Sequence, residues 1–389
     1  MCRGMLRALG VALATAQLAG CTFYTACPAG GNGTPNGNTS GASNGGGSAA
    51  AGASGSGAGM NLAGAAPTGP WLAATGTLGG TKAGYANATY VGAKPDQDEL
   101  IAGLSEVGLF SSTDGAATWT PLGTGKNSAS IPHRTISIRF DPDNSKTFYV
   151  AGTYGPAFFK TTDGGKTFTD LGLVNGCEAF DVDFTDSGRK TIVGSAHEMG
   201  RIVWLTHDGG STWTDIGPKL PADTSVCSYP VLIDAQTLLI SCSVFNAPQH
   251  GIYRSTDAGD TWAQVSTTTA HAEALHASDG AYYWSIEGNA GMLKSEDKGR
   301  TWNQIFDSAL EIPPIELPDG SIAASTHDYL VLSSDGGMTW RPVTSKLPFT
   351  PIGLTYSKFQ KAFYIWQYGF ADAVASDEIQ RYDFDYEAP

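Results

Sequence analysis

Three acidic residues occupy corresponding places in different repeats of this chain and could carry out acid–base chemistry. They are Glu198, Glu287 and Asp328. Hydrolysis of a glycosidic bond requires two carboxyl groups on either side of a sugar, about 5–10 Å apart. These three residues are therefore the best-placed catalytic candidates, but nothing in the sequence pairs any two of them.

Aromatic, basic and polar residues at the same or neighbouring places could bind a ligand. Aromatic rings stack on sugar faces, and carboxylates or imidazoles bond the hydroxyl groups. The predicted ligand-binding residues are Arg134, Tyr154, Glu178, Tyr229, His271, Glu287, His327, Trp366 and Tyr368.

Histidines are concentrated at these places, which leaves a metal site as a second interpretation. Imidazole nitrogens and carboxylate oxygens are common ligands of divalent ions. The candidate ligands are His197, His250 and His327. A third interpretation is a solvated opening with no specific ligand. No cofactor is predicted.

The candidate residues occupy equivalent positions because the chain is built from repeats. One short pattern, Ser/Thr-x-Asp-x-Gly-x-Thr-Trp, occurs six times, roughly 40–50 residues apart. The glycine is replaced once, by Ala116. The aspartates of the six copies are Asp114, Asp163, Asp208, Asp257, Asp297 and Asp335. The aromatic residues that end them are Trp119, Phe168, Trp213, Trp262, Trp302 and Trp340.

Each copy lies between two short strand-like stretches, such as 251–254 and 262–265, so it predicts a hairpin turn. Aspartate accepts backbone N–H bonds in such a turn, and glycine adopts a positive φ. The pattern resembles the Asp-box (BNR) repeat of sialidase-like β-propellers. The resemblance implies that these aspartates and aromatics are structural and lie away from the substrate face.

The spacing predicts one four-stranded antiparallel blade per repeat. After the sixth copy, residues 350–386 still hold three strands, and residues 71–78 are the natural fourth. Pairing the two ends of the chain would close the ring and remove an exposed edge. We therefore expect an all-β, seven-bladed propeller, whose face opposite the hairpins carries the candidate residues above.

Composition divides the 389 residues into three segments. Residues 1–21 predict a secretion signal that ends in Leu-Ala-Gly-Cys and resembles the bacterial lipobox, which implies a lipid on Cys21. Residues 22–69 are rich in Gly, Ser and Asn and predict a flexible tether, and residues 70–389 form the propeller. We expect a monomer in the bacterial cell envelope, facing the periplasm or the exterior. The net charge of −14 argues against nucleic acid as a partner, and membrane contact is expected only through the lipid.

Secretion permits disulfide bonds. Cys227 and Cys242 flank a predicted hairpin and would lie opposite each other in the register centred near 234–235. The rival pairing is Cys177 with Cys227, which begin equivalent strands of successive blades.

Related families differ in activity. Sialidases of this kind use three arginines, whereas Arg134 is the only clear arginine at a candidate position here. Xyloglucan-cleaving enzymes share the seven-bladed Asp-box architecture but place acidic residues across a cleft between two propellers. Photosystem assembly factors with one such propeller are binding proteins. The resemblance therefore favours a surface-anchored, non-catalytic binding or scaffold module for a glycan or protein. The alternative is a glycoside hydrolase, exo-sialidase-like or endoglucanase-like.

Overall fold

The computed structural model describes residues 62–131, 133–156, 158–173, 176–197, 199–243 and 250–387. The predicted signal segment with Cys21, most of the predicted tether and Glu198 lie outside these residues. Within them, no helix is long and apolar enough to cross a membrane.

The described residues form 28 strands in seven four-stranded antiparallel sheets, which we call blades I to VII. Blades I and II contain β2 (Ala88–Ala93), β3 (Leu100–Leu104), β4 (Gly108–Ser112) and β5 (Thr120–Pro121), then β6 (Arg134–Phe140), β7 (Phe148–Thr153), β8 (Phe158–Thr161) and β9 (Thr169–Asp170). Blades III and IV contain β10 (Cys177–Val182), β11 (Ile192–Ala196), β12 (Val203–Thr206) and β13 (Thr214–Asp215), then β14 (Val226–Leu232), β15 (Leu238–Ser243), β16 (Gly251–Ser255) and β17 (Ala263–Ser266).

The remaining strands complete the ring. Blades V and VI contain β18 (Leu275–His276), β19 (Tyr282–Ser285), β20 (Met292–Ser295) and β21 (Asn303–Phe306), then β22 (Ile315–Glu316), β23 (Ile322–Ser325), β24 (Leu330–Ser333) and β25 (Arg341–Pro342). Blade VII contains β26 (Gly353–Ser357), β27 (Ala362–Trp366), β28 (Ile379–Asp383) and β1 (Leu72–Ala73). Three 3-10 turns span Gly76–Leu78, Ser128–Ser130 and Gly217–Lys219.

Blade VII confirms the predicted closure of the ring by the two ends of the chain. Leu72 pairs with Arg381 and Ala73 with Gln380, so β1 supplies the outer strand of a sheet whose other strands come last in sequence. The predicted all-β, seven-bladed architecture is thereby confirmed among the described residues. Each blade presents its second strand to both neighbours, so β3, β7 and β11 are buried along their whole length.

Adjacent inner strands are joined near the axis of the ring by single hydrogen bonds. The Tyr90 hydroxyl donates to the Ile138 carbonyl at 3.3 Å, and the Leu232 N–H donates to Asp181 at 2.8 Å. Aromatic and aliphatic side chains fill the spaces between blades, so most of the stabilisation comes from apolar burial.

The six repeated turns, here called aspartate hairpins, share one set of hydrogen bonds to their aspartate. In the fourth, Asp257 Oδ1 accepts from the Ser255 hydroxyl at 2.7 Å and from the Thr261 N–H at 2.9 Å. Its Oδ2 accepts from the Thr261 hydroxyl at 2.6 Å. The Trp262 indole then donates to the Gly259 carbonyl at 3.0 Å. Both carboxylate oxygens are therefore occupied within the hairpin. The equivalent bonds from threonine are made by Asp114, Asp163, Asp208, Asp297 and Asp335.

The Cys227–Cys242 disulfide expected from the sequence is present, and the two cysteines face each other in the β14–β15 ladder. Cys177, which the rival pairing required, is a buried free thiol.

We predict that acid weakens the aspartate hairpins. Hydrogen bonds from Thr261 hold the pKa of Asp257 at about 2, below its ordinary 3.8. A carboxyl group whose pKa is lower in the folded state stabilises the fold above pH 4 and loses that contribution as the pH falls toward 2. Asp257→Asn should therefore melt at a lower temperature than the native protein at pH 6, and the difference should shrink by pH 2.5.

The matched control is Asp260→Asn, in the same hairpin, because Asp260 makes only an exposed ion pair with Lys219 at 3.5 Å. A melting temperature for Asp257→Asn that equals that of Asp260→Asn at pH 6 would contradict the prediction.

We also predict that the disulfide stabilises blade IV. The bond closes a loop with a sequence separation of 15 residues. Its loss should lower the free energy of unfolding by about 3 kcal/mol, since the unfolded chain regains loop entropy. The measurement is urea denaturation of Cys227→Ala/Cys242→Ala without reductant. Cys177→Ala is the control, because it removes a buried sulfur but no cross-link. Equal midpoints for the double variant and the native protein would show that the cross-link contributes nothing.

Candidate functional site

The inner strands of four successive blades carry a β-bulge at the same end. The bulges leave Thr89, Ile136, Glu178 and Tyr229 without a partner in the ladder. A bulge turns an extra side chain out of the normal alternation. All four side chains line one central cavity of about 340 Å³. The bulges therefore build the mouth of the propeller, the surface around this cavity opposite the aspartate hairpins.

Tyr229 and His271 form a hydrogen-bonded pair inside the mouth. The Tyr229 hydroxyl lies 3.0 Å from His271 Nε2, and His271 Nδ1 lies 3.4 Å from the Glu311 carbonyl oxygen. Because a carbonyl only accepts, Nδ1 donates to the Glu311 carbonyl, which leaves Nε2 to the Tyr229 hydroxyl. Burial, reinforced by the charge of Glu178, raises the pKa of Tyr229 well above its ordinary value. Tyr229 thus remains a hydroxyl donor.

Glu178 reaches the mouth from blade III. One carboxylate oxygen accepts from the Ser228 hydroxyl at 3.1 Å, and the other lies 3.7 Å from His197 Nδ1. Glu178 lines the central cavity and also a second cavity of about 140 Å³ that adjoins blades IV and V.

Glu287 lines the second cavity from the other side, on the loop after β19. Its Oε2 is buried and has no hydrogen-bond partner among the described residues. Burial raises the pKa of Glu287, helped by Glu311 and opposed by His271. The structure therefore brings Glu178 and Glu287 to one cavity in different environments.

A third glutamate, Glu273, crosses the ring and was not among the predicted site residues. It accepts from the Ser137 hydroxyl at 2.5 Å and lies 3.5 Å from Arg139, both in blade II. Arg139 in turn lies 3.8 Å from Asp181 of blade III. Its carboxylate is already paired, so Glu273 links blade V to blade II across the ring. Its place in the loop that enters β18 was the sequence signal that could have found it.

Most of the predicted ligand residues converge on the mouth. Those that line the central cavity are Arg134, Glu178, Tyr229, His271, Trp366 and Tyr368. Trp366 is only 6% exposed and its indole donates to the Thr89 carbonyl, so it cannot offer a broad face to a sugar. Tyr154 lies at the rim, with its ring 5.1 Å from that of His197.

His327 and Asp328 line neither cavity. They sit on the exposed turn between β23 and β24, where Asp328 forms an ion pair with Lys346 at 3.2 Å. The turn is fixed by the Thr326 hydroxyl, which accepts the N–H groups of Asp328 and Tyr329. Its short length keeps both predicted residues away from the bulged strands.

The three predicted metal ligands are not brought together. His197 contacts Tyr154 and Glu178, whereas His250 contacts Tyr253 and lies 3.9 Å from Asp223. Within the described part of the chain, no group of three or more His, Cys, Asp and Glu side chains could hold a metal ion.

Comparison with known proteins gives two curated relatives, while no family model matches the chain. A xyloglucanase of Hypocrea jecorina is 24% identical over 267 residues, which are 60% of this chain and 29% of that protein. A probable oligoxyloglucan-reducing end-specific xyloglucanase of Neosartorya fischeri is 30% identical over 95 residues, 24% of this chain and 12% of that protein. The chain thus spans less than a third of the length of these relatives.

Solved structures share the fold. A GH74 enzyme of Niastella koreensis superposes with a TM-score of 0.57 at 18% identity, over 81% of this chain and 54% of that one. YCF48 bound to D1 peptide superposes with a TM-score of 0.53 at 15% identity, over 82% of this chain and 99% of that one. These likenesses show a seven-bladed β-propeller of the kind found in both. The expectation of a non-catalytic binding or scaffold module is wrong: both curated relatives are xyloglucanases, and the hydrolase alternative fits them better.

Proposed function

We propose that this chain is a glycoside hydrolase that cleaves a neutral glucan-based polysaccharide such as xyloglucan at the mouth of the propeller. The observation that carries the proposal is the pair Glu178 and Glu287, which line one cavity in different environments. Two carboxyl groups with separate environments are the requirement for glycoside hydrolysis. The names of the two curated relatives supply the substrate class.

Glu287 is the proposed general acid. Its buried, unpartnered Oε2 and its raised pKa favour the protonated form. It would give this proton to the glycosidic oxygen as the bond from that oxygen to the sugar C1 breaks. The leaving chain then departs as a neutral alcohol, and Glu287 is left as a carboxylate.

Glu178 is the proposed general base. A hydroxyl donor, Ser228, and the imidazole of His197 hold its carboxylate in place. The second cavity, which both glutamates line, has a volume of about 140 Å³ and so has room for a water. Glu178 would take a proton from this water as its oxygen adds to C1, so the anomeric configuration inverts.

Tyr229 and His271 would orient the sugar between the glutamates. Tyr229 keeps a left-handed backbone, with φ of 58°, which is uncommon for a bulky side chain. The strained backbone of Tyr229 and its hydrogen bond to His271 fix the polar groups of both residues in the wall of the cavity.

The same proposal includes the setting of the enzyme. Residues 1–21 would be a lipoprotein signal that leaves a lipid on Cys21, and residues 22–69 would tether a monomeric propeller, 70–389, in the bacterial cell envelope. The six aspartate hairpins would be Asp-boxes, and their fully occupied carboxylates support a structural role.

The first prediction from this mechanism concerns the two glutamates. Glu287→Gln and Glu178→Gln should each reduce kcat for xyloglucan by roughly 10²–10⁴-fold, because each removes one proton-transfer group. The measurement is release of reducing ends by purified protein. Asp328→Asn is the control, since it changes an acid on the same face that lines neither cavity. Native protein that cleaves neither xyloglucan nor any of a panel of β-glucans, or full activity in both glutamine variants, would refute the mechanism.

The second prediction concerns pH. Because the acid works only while protonated, kcat/KM for xyloglucan should fall as the pH rises through the raised pKa of Glu287. An aryl glucoside whose leaving group needs no proton should not show this basic limb, and Glu287→Gln should keep most of its activity on it. A basic limb of equal size with both substrates would assign the limb to another group.

A further inference from the structure

Exposed aromatic rings are concentrated on one side of the mouth. Phe370, Tyr154 and Tyr85 are 70%, 60% and 49% exposed, and the rings of Tyr85 and Phe370 lie 5.3 Å apart. Large side chains that stay exposed together mark a binding surface more often than a chance arrangement.

Arg134 holds these rings together. Its guanidinium carbon lies 5.1 Å from the Tyr368 ring, 5.5 Å from Tyr85 and 5.9 Å from Tyr154. Its Nε is buried with no hydrogen-bond partner, and within the described part of the chain no carboxylate forms an ion pair with it. The tyrosine faces balance the guanidinium charge, and one terminal nitrogen, Nη2, donates to the Tyr368 hydroxyl at 3.4 Å. The other, Nη1, makes no hydrogen bond within the described part of the chain and is left for an oxygen of a ligand.

The aromatic rings are connected to Glu178, the proposed base, through His197. The Tyr154 hydroxyl lies 3.2 Å from His197 Nε2, and His197 Nδ1 lies 3.7 Å from Glu178. Arg134 and Tyr368 also line the central cavity beside Glu178. The aromatic side of the mouth and the carboxylate pair are therefore one continuous surface.

Buried polar contacts fix this surface in advance. Glu378, only 2% exposed, accepts from the Asn87 amide at 3.0 Å and from the Ala375 N–H at 2.7 Å. Gly369 donates its N–H to the Ala86 carbonyl at 3.3 Å, which ties the loop of Phe370 to the loop of Tyr85. A surface held rigid before binding loses less entropy when a ligand arrives.

We propose that Tyr85, Tyr154, Tyr368 and Phe370, gathered around Arg134, form a stacking platform for an extended neutral glycan, beside the bond that is cleaved. This rests on the proposed function and deepens it: the enzyme acts within polymers and recognises several sugars on one side of the scissile bond. Ring faces suit the flat axial-hydrogen faces of β-linked glucose units, and Arg134 bonds a ring or hydroxyl oxygen. The occupant is neutral because Glu178, Glu287 and Glu311 line the same mouth and would repel an acidic chain.

Affinity electrophoresis in gels containing xyloglucan tests the platform without catalysis, with Glu287→Gln as the background protein. Adding Tyr154→Ala or Phe370→Ala should weaken retardation by at least about fivefold each. Phe359→Ala, which removes a 45% exposed ring from the turn between β26 and β27, should leave it unchanged. In otherwise native protein, the platform substitutions should raise KM for xyloglucan but spare turnover of para-nitrophenyl β-cellobioside.

Three results would overturn the platform. One is equal retardation of all the variants; another is stronger retardation by carboxymethyl cellulose than by xyloglucan. The third is an equal loss on polymer and short substrate. If native protein cleaves xyloglucan while retardation is unchanged in Tyr154→Ala and Phe370→Ala, the platform fails and the proposed hydrolase stands. If Tyr154→Ala and Phe370→Ala reduce retardation but the native protein cleaves no xyloglucan, the proposed hydrolase is refuted and the platform stands.

Discussion

The structure depends on the pairing of the first and last strands. Leu72 and Ala73 contribute only two residue pairs, yet they complete the four strands of blade VII and tie the first strand of the chain to the last. Closure places the beginnings of the inner strands around one axis. Residues as distant in sequence as Arg134 and Tyr368 then meet at the mouth, with 3.4 Å between a guanidinium nitrogen and the hydroxyl.

Closure alone would give a packed ring rather than a site. The β-bulges near the start of β2, β6, β10 and β14 open the mouth, because each turns one side chain out of the blade-to-blade packing. The Glu273–Arg139 ion pair links blades V and II across the ring. The rear of the ring is stabilised by the aspartate hairpins, whose aspartates use both carboxylate oxygens as hydrogen-bond acceptors.

The sequence was informative where geometry is local or repeated. The six hairpins and their spacing predicted the blades and the closing strand at 71–78, and the register of the hairpin centred near 234–235 predicted the Cys227–Cys242 pair. Turn chemistry and register depend on near neighbours, so both can be read from the sequence. The sequence could not show which of the candidate residues on the face opposite the hairpins lie close together. His327 and Asp328 share the loop position of Glu287, but their turn is shorter and exposed, whereas Glu287 lines the second cavity together with Glu178.

The sequence also favoured the wrong function. One propeller without paired acids resembled a binding module, and the pairing of Glu178 with Glu287 is visible only once blades III and V face the same cavity. The most direct test is a crystal structure of Glu287→Gln with a xyloglucan oligosaccharide. We expect a glycosidic oxygen within hydrogen-bond distance of the residue 287 amide, with Glu178 across the sugar. An oligosaccharide bound to the aspartate hairpins, or lying in the mouth with neither glutamate near a glycosidic bond, would contradict the account.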